Sequence, residues 1–222
     1  MKRLLGIILM MAVMVTAAPV QANLDDTRAS IESKYGEYRL VLDTNNQPWT
    51  KEQWEKSGYK KADAATFMYR FRRFDMGIQL DVAFEDNKPN AYVKMQRFTP
   101  DNPIQIKDFK KIFPEVYDLL VSPKAVSFTS FKELTKNFTE QGSPVTYGIA
   151  INQPPTPDRK AYITLCAFSI TDEGRVVKEV KYIDENTYIR EFTIERLWTG
   201  VFNEYINNDW KKIKNFFIAP VK

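Results

Sequence analysis

The clearest hydrophobic alternation in this chain runs from residue 78 to residue 98. Ile78, Leu80, Val82 and Phe84 share one parity, and Gln79, Asp81 and Ala83 share the other. Successive side chains of a strand point to opposite faces, so this period of two predicts a half-buried strand. The polar stretch EDNKPN then leads into AYVKMQRF. Upstream, TFMYRFRRF alternates Phe67, Tyr69 and Phe71 against Met68, Arg70 and Arg72. Residues 65–74, 78–84 and 91–98 therefore predict a three-stranded antiparallel meander, its first turn at Asp75, Met76 and Gly77.

The flanking segments change period. Residues 24–36 predict a helix capped by Asp25 or Asp26, lined by Leu24, Ile31 and Tyr35, and stopped by Gly36. Residues 37–43 predict a strand with Tyr38, Leu40 and Leu42 on one face. A second short helix follows, with Thr50 and Gln53 spaced as a capping box, Gly58 as its stop, and Trp49 and Trp54 as anchors. Residues 106–120 carry Phe109, Ile112, Phe113, Val116, Leu119 and Leu120 at helical spacing, and Pro114 kinks that helix or starts another. Beyond Ser122 and Pro123, residues 128–138 predict a helix and VTYGIAI a strand. AYITLCAFSI and RVVKEVKYI predict a second hairpin around Asp172, Glu173 and Gly174, and residues 192–217 predict two helical stretches.

The two hairpins echo one another at an offset of 84. Ungapped alignment of 78–102 with 162–186 pairs Ala83 with Ala167, Phe84 with Phe168, Val93 with Val177, Lys94 with Lys178 and Asn102 with Asn186. Any two strand–turn–strand segments share a hydrophobic pattern, yet the order of elements also repeats. The expectation is an α+β protein: antiparallel sheets with helices packed on one face, in two tandem helix-plus-meander units, 23–121 and 122–222. Joining the sheets edge to edge would also hide edges that invite aggregation.

The N-terminus adds a location. Lys2 and Arg3 precede an apolar run from Leu4 to Val15, and Val20 and Ala22 supply small residues before a cleavage point. This is the pattern of a secretory signal peptide over residues 1–22, and it predicts an exported protein, periplasmic or secreted. No later stretch is apolar enough to span a membrane. Loss of Lys2 and Arg3 takes the net charge from +4 to +2, too little to support a nucleic-acid partner. A folded core is expected from 44% hydrophobic and 14% aromatic residues. The single Cys166 cannot close an intramolecular disulfide, and its apolar surroundings in sequence predict a small core residue.

The chain contains no histidine, which removes Ser-His-Asp and Cys-His catalysis and imidazole-bound metals. Glycine-rich phosphate loops and the GxSxG elbow are absent as well. Ser57 to Lys60 matches SxxK spacing across a predicted helix stop, where a surface loop is the simpler reading. Asp81, Glu85 and Asp86 cluster near a strand end, either as the paired carboxylates a glycosidase needs or as solvated turn residues. The acidic loops at 85–87 and 184–186 lack EF-hand spacing, and no cofactor or metal is predicted. The tail DWKKIKNFF suits docking on the protein's own core, or on a membrane surface or a partner.

Surfaces remain. Arg70 and Arg72 are predicted to project from the meander face opposite the aromatic residues, with Lys94 and Gln96 near them, as a binding face for an acidic partner or anionic glycan. The expected function is a non-catalytic binding protein whose partner is a protein or envelope component, met through the sheet face or the junction between units. The alternatives are a carboxylate-dependent hydrolase of glycan or cell-wall material and a carrier of an apolar small ligand.

Overall fold

The computed structural model describes residues 24–58, 65–86, 88–122, 124–130, 145–153, 162–171, 185–198 and 210–213. The chain runs α1 (Arg28–Tyr35), β1 (Leu40–Leu42), β2 (Pro48–Thr50), α2 (Lys51–Ser57), β3 (Thr66–Arg73), β4 (Met76–Phe84), β5 (Val93–Pro100), β6 (Ile104–Gln105), α3 (Ile106–Ile112) and α4 (Pro114–Leu120). Then come β7 (Val126–Ser130), β8 (Val145–Gln153), β9 (Tyr162–Thr171), β10 (Tyr188–Trp198) and β11 (Trp210–Ile213). It is an α+β fold with one antiparallel sheet, ordered β11-β7-β8-β9-β10-β5-β4-β3-β1-β2, and β6 pairs with β10 beside that path. Among the described residues no helix is long and apolar enough to cross a membrane.

The predicted meander is β3–β4–β5. Phe67 pairs with Val82, which pairs with Gln96, and Tyr69 pairs with Leu80, which pairs with Phe98. Directly paired residues share a face, so this register gathers Phe67, Tyr69, Ile78, Leu80, Val82, Phe84 and Phe98 into one buried layer. Ring contacts tie the helices to these residues. Tyr35 of α1 lies 4.5 Å from Phe71, and Trp54 of α2 lies 6.0 Å from Phe67. Phe109 of α3 and Phe113, which caps it, lie 5.1 and 4.7 Å from Phe192 of β10.

Local signals explain the helix ends. The capping box of Thr50 and Gln53 forms as predicted, and Gly58 stops α2 with φ 60°. Gly36 ends α1 with φ 83°, where only glycine is unstrained. The cap of α1 is Thr27, which accepts from Ser30 N, and neither predicted aspartate fills that place. Asp26 instead accepts from Ser30 Oγ and, at 2.6 and 2.7 Å, from Lys34 Nζ. Pro114 begins α4, its missing N–H harmless in a first turn.

Two expectations fail. Residues 192–198 belong to strand β10, which is bonded to β5 on one side and β9 on the other. Phe192, Ile194 and Arg196 are buried while Thr193 and Glu195 are only partly so, a period of two that the helical reading passed over. Trp210–Ile213 is likewise a strand, paired with β7, and β7 takes the first residues of the helix predicted at 128–138; residues 131–138 lie outside the described residues. β9 is paired along its length by β8 and β10. The other strand of the predicted second hairpin, 175–183, lies outside the described residues. Within β1 the buried side chain is Val41, opposite Phe67, and Leu40 and Leu42 are half-buried.

A buried cation closes the layer at one end. Arg196, 9% exposed, donates from Nη2 to Leu24 O and Asp25 Oδ1, each at 2.8 Å, and its Nη1 lies 3.5 Å from Glu85 Oε1. It fastens the start of the described chain to β10. Beside β5, Val93 N donates to Asp26 O and Arg28 N donates to Ala91 O.

Tyr69 is 1% exposed, and among the described residues its hydroxyl has no hydrogen-bond partner. Burial, assisted by Glu32, pushes the phenol well above its ordinary pKa. An unpartnered buried hydroxyl carries a desolvation penalty. Tyr69→Phe should therefore leave stability unchanged or raise it by up to about 1 kcal/mol, measured by urea unfolding.

Candidate functional site

The β3–β4 connection is a two-residue turn, since Arg73 pairs with Met76. Its first residue, Phe74, has φ 52°, and Asp75 does not share that sign. Glycine is the usual occupant of such a position, because a Cβ meets backbone there. A phenylalanine held in this conformation is a strained residue, and its side chain is 65% exposed.

The sequence places α3 beside this tip through a short backbone graft. β6 pairs with Tyr188 and Ile189 of β10. Ile106 N then donates to Thr187 O, and Lys107 N to Glu185 O, which fixes the first turn of α3. At the other end Arg73 donates from Nη1 to Ile112 O at 2.7 Å, with its guanidinium carbon 4.9 Å from the Phe113 ring centroid. A cation on terminal helix carbonyls suits both their lone pairs and the helix dipole.

Between hairpin tip, β6, α3 and β10 lies an open groove of about 360 Å³. Phe74, Met76, Pro103, Ile104 and Ile112 provide its apolar lining. Gln105, Asp108, Lys111 and Tyr188 supply the polar groups. Lys111 Nζ sits 4.9 Å from the Phe74 ring centroid, a cation–π distance. Among the described residues no carboxylate forms an ion pair with Lys111, Lys110 or Arg72. Lys110 lies over the Tyr117 ring, and Arg72 donates to Asp75 O.

The predicted binding residues do not converge. Arg70 and Arg72 share β3 and are exposed. Arg70 is already engaged, its Nη2 donating to both oxygens of Asp101 at 2.6 and 2.7 Å. Gly77 lies beneath that pair, where an added Cβ would collide with the Asp101 carboxylate. Lys94 is exposed on β5 at a register shift, where Ala83 pairs with Met95 but Phe84 with Val93. Gln96 lies on the other face: it pairs with Val82 and Ile194 and is fully buried. Sequence reading missed Phe74 and Lys111. The tight spacing of Phe74 between two strong strands was its available signal, and Lys111 had none.

The acidic residues considered for hydrolysis are partnered. Asp81, fully buried, accepts from Arg97 Nε and Nη2 at Oδ2 and from Gln79 Nε2 at Oδ1. Glu85 faces Arg196, and Asp86 accepts from Lys88 N in its turn. Ser57 Oγ donates to Trp54 O at the end of α2, and Lys60 lies outside the described residues. Glu195, opposite Met95 on β5, has its carboxyl pKa raised by burial, with Lys94 opposing.

Two outcomes are expected. Phe74→Gly should relieve the left-handed strain and stabilise the fold by up to about 1 kcal/mol in urea unfolding. Glu195 holds its proton more tightly when folded, so its contribution is complete below the ordinary value of 4.5 and is lost as pH rises through the raised one. Glu195→Gln should accordingly match the parent in acid and exceed it above that window, as thermal melts across pH will show.

Comparison with known proteins finds no matching family model, no similar curated protein and no similar solved structure.

Proposed function

We propose that this is an exported, non-catalytic interaction protein, periplasmic or secreted, that binds a protein or envelope component at the groove beside Phe74. The observation that carries this reading is an exposed aromatic ring held in a strained turn beside an open apolar groove. Strain at an exposed ring gives the fold nothing, and strained residues cluster where a molecule meets its ligands. The groove also draws walls from both parts of the chain, Ile104 and Ile112 from 23–121 and Tyr188 from 122–222.

The finer architecture belongs to the same proposal. We infer two tandem units whose helices gather on one face of the sheet. Supporting this, α1–β1–β3–β4–β5 and α4–β7–β8–β9–β10 follow the same order, and the sheet places β1-β3-β4-β5 and β7-β8-β9-β10 as mirror sequences meeting at β5–β10. In this ordering the second set of elements starts at α4, a few residues before the unit boundary expected at Ser122. Among the described residues, Tyr35, Trp54, Phe109 and Phe113 make ring contacts with the Phe67–Phe98–Phe192 layer.

A photoreactive amino acid placed at Asp75, next to the ring, is the direct test. It should yield a discrete crosslinked species in a cell-envelope extract, and the same group at exposed Lys56 on α2 should not. The same products from both positions, or none from Asp75, would count against the docking site.

A further inference from the structure

Resting on the reading of the groove as a docking site, we propose that its occupant is an acidic segment of a partner protein. One apolar side chain of that segment seats against Phe74, and its carboxylates meet Lys111 and the neighbouring cations. The size comes first. A groove of about 360 Å³ with an apolar lining matches one aromatic or branched side chain with its adjoining backbone. Interface anchors are commonly of that kind.

Charge selects the flanks of that side chain. On α3, Lys107, Lys110 and Lys111 are exposed against the single Asp108. The hairpin tip adds Arg72 and Arg73 against Asp75. The excess of three positive charges here exceeds the +2 left to the whole chain once Lys2 and Arg3 are removed. Lys111 is available without rearrangement: it touches the Phe74 ring, and no carboxylate among the described residues holds it. An incoming carboxylate therefore gains an ion pair without breaking one, and a basic segment meets repulsion from both sides of the groove. Asp108 and Gln105 stand on the same rim and can accept or donate to the segment's backbone.

The test uses the full chain and short capped fluorescent peptides: phenylalanine flanked by glutamates, the same peptide with lysines in place of glutamates, and the glutamate peptide with alanine in place of phenylalanine. Anisotropy should show binding of the first, weaker binding of the third, none of the second, and loss of affinity as salt rises. Phe74→Ala and Lys111→Glu should each weaken the first peptide at least about tenfold, and Lys56→Ala should not. Phe74→Gly, expected to fold at least as well as the parent, separates loss of the ring from loss of structure. Equal binding of the lysine-flanked peptide, or no effect of Lys111→Glu, overturns the assignment. If no peptide binds while Asp75 still crosslinks a partner, the acidic chemistry falls and the docking site stands. If neither is seen, both fall.

Discussion

The contact on which the rest depends is the joint between β5 and β10. Phe98 and Phe192 are directly paired there, their rings 4.7 Å apart and inclined by 10°. Such ring pairs add about 0.5–1.5 kcal/mol beyond the area they bury. Phe113 closes on both rings and Phe109 on Phe192, so a four-ring cluster seals the line where the two stretches of sheet become one. Without it, each stretch would offer a bare edge strand.

The position of the groove follows from that joint. β10 holds β6 at one end of its length and β5 along the middle, and β6 runs straight into α3. The helix is thus placed by pairing and by Phe109, and Arg73 draws the hairpin tip against its far end. A rigid frame around an exposed ring lowers the ordering cost of binding. The opposite face of the sheet is organised differently. There Arg70 pairs with Asp101 and Arg97 with Asp81, so of the two β3 arginines on that face only Arg72 stands outside an ion pair among the described residues.

How much of this could be read from the chain depended on whether the information was local. The meander and the α2 capping box were legible because alternation and capping chemistry act over a few residues, and Pro114 marked a helix start for the same reason. β10 was not: Ile194, Leu197 and Trp198 fit a helical stripe as readily as Phe192 and Ile194 fit a strand. Only pairing with β5 and β9, from distant sequence, decides between them. Gln96 was misplaced by parity, since its place opposite Val82 puts it among the aromatic residues. Arg97, one position on, is the residue that reaches Asp81. The groove escaped altogether, because it depends on bringing residue 74 beside 111 and 188.

The grip of Arg196 on Leu24 sets an order of events. These partners are 172 positions apart, so the hold on Leu24 and Asp25 forms only once β10 has been made, after Asp26 and Arg28 have found Val93 and Ala91, and loop closure over that separation is slow. For a chain made from its amino end, an early contact that cannot lock prematurely is an advantage. The last-made third of the protein fastens the first.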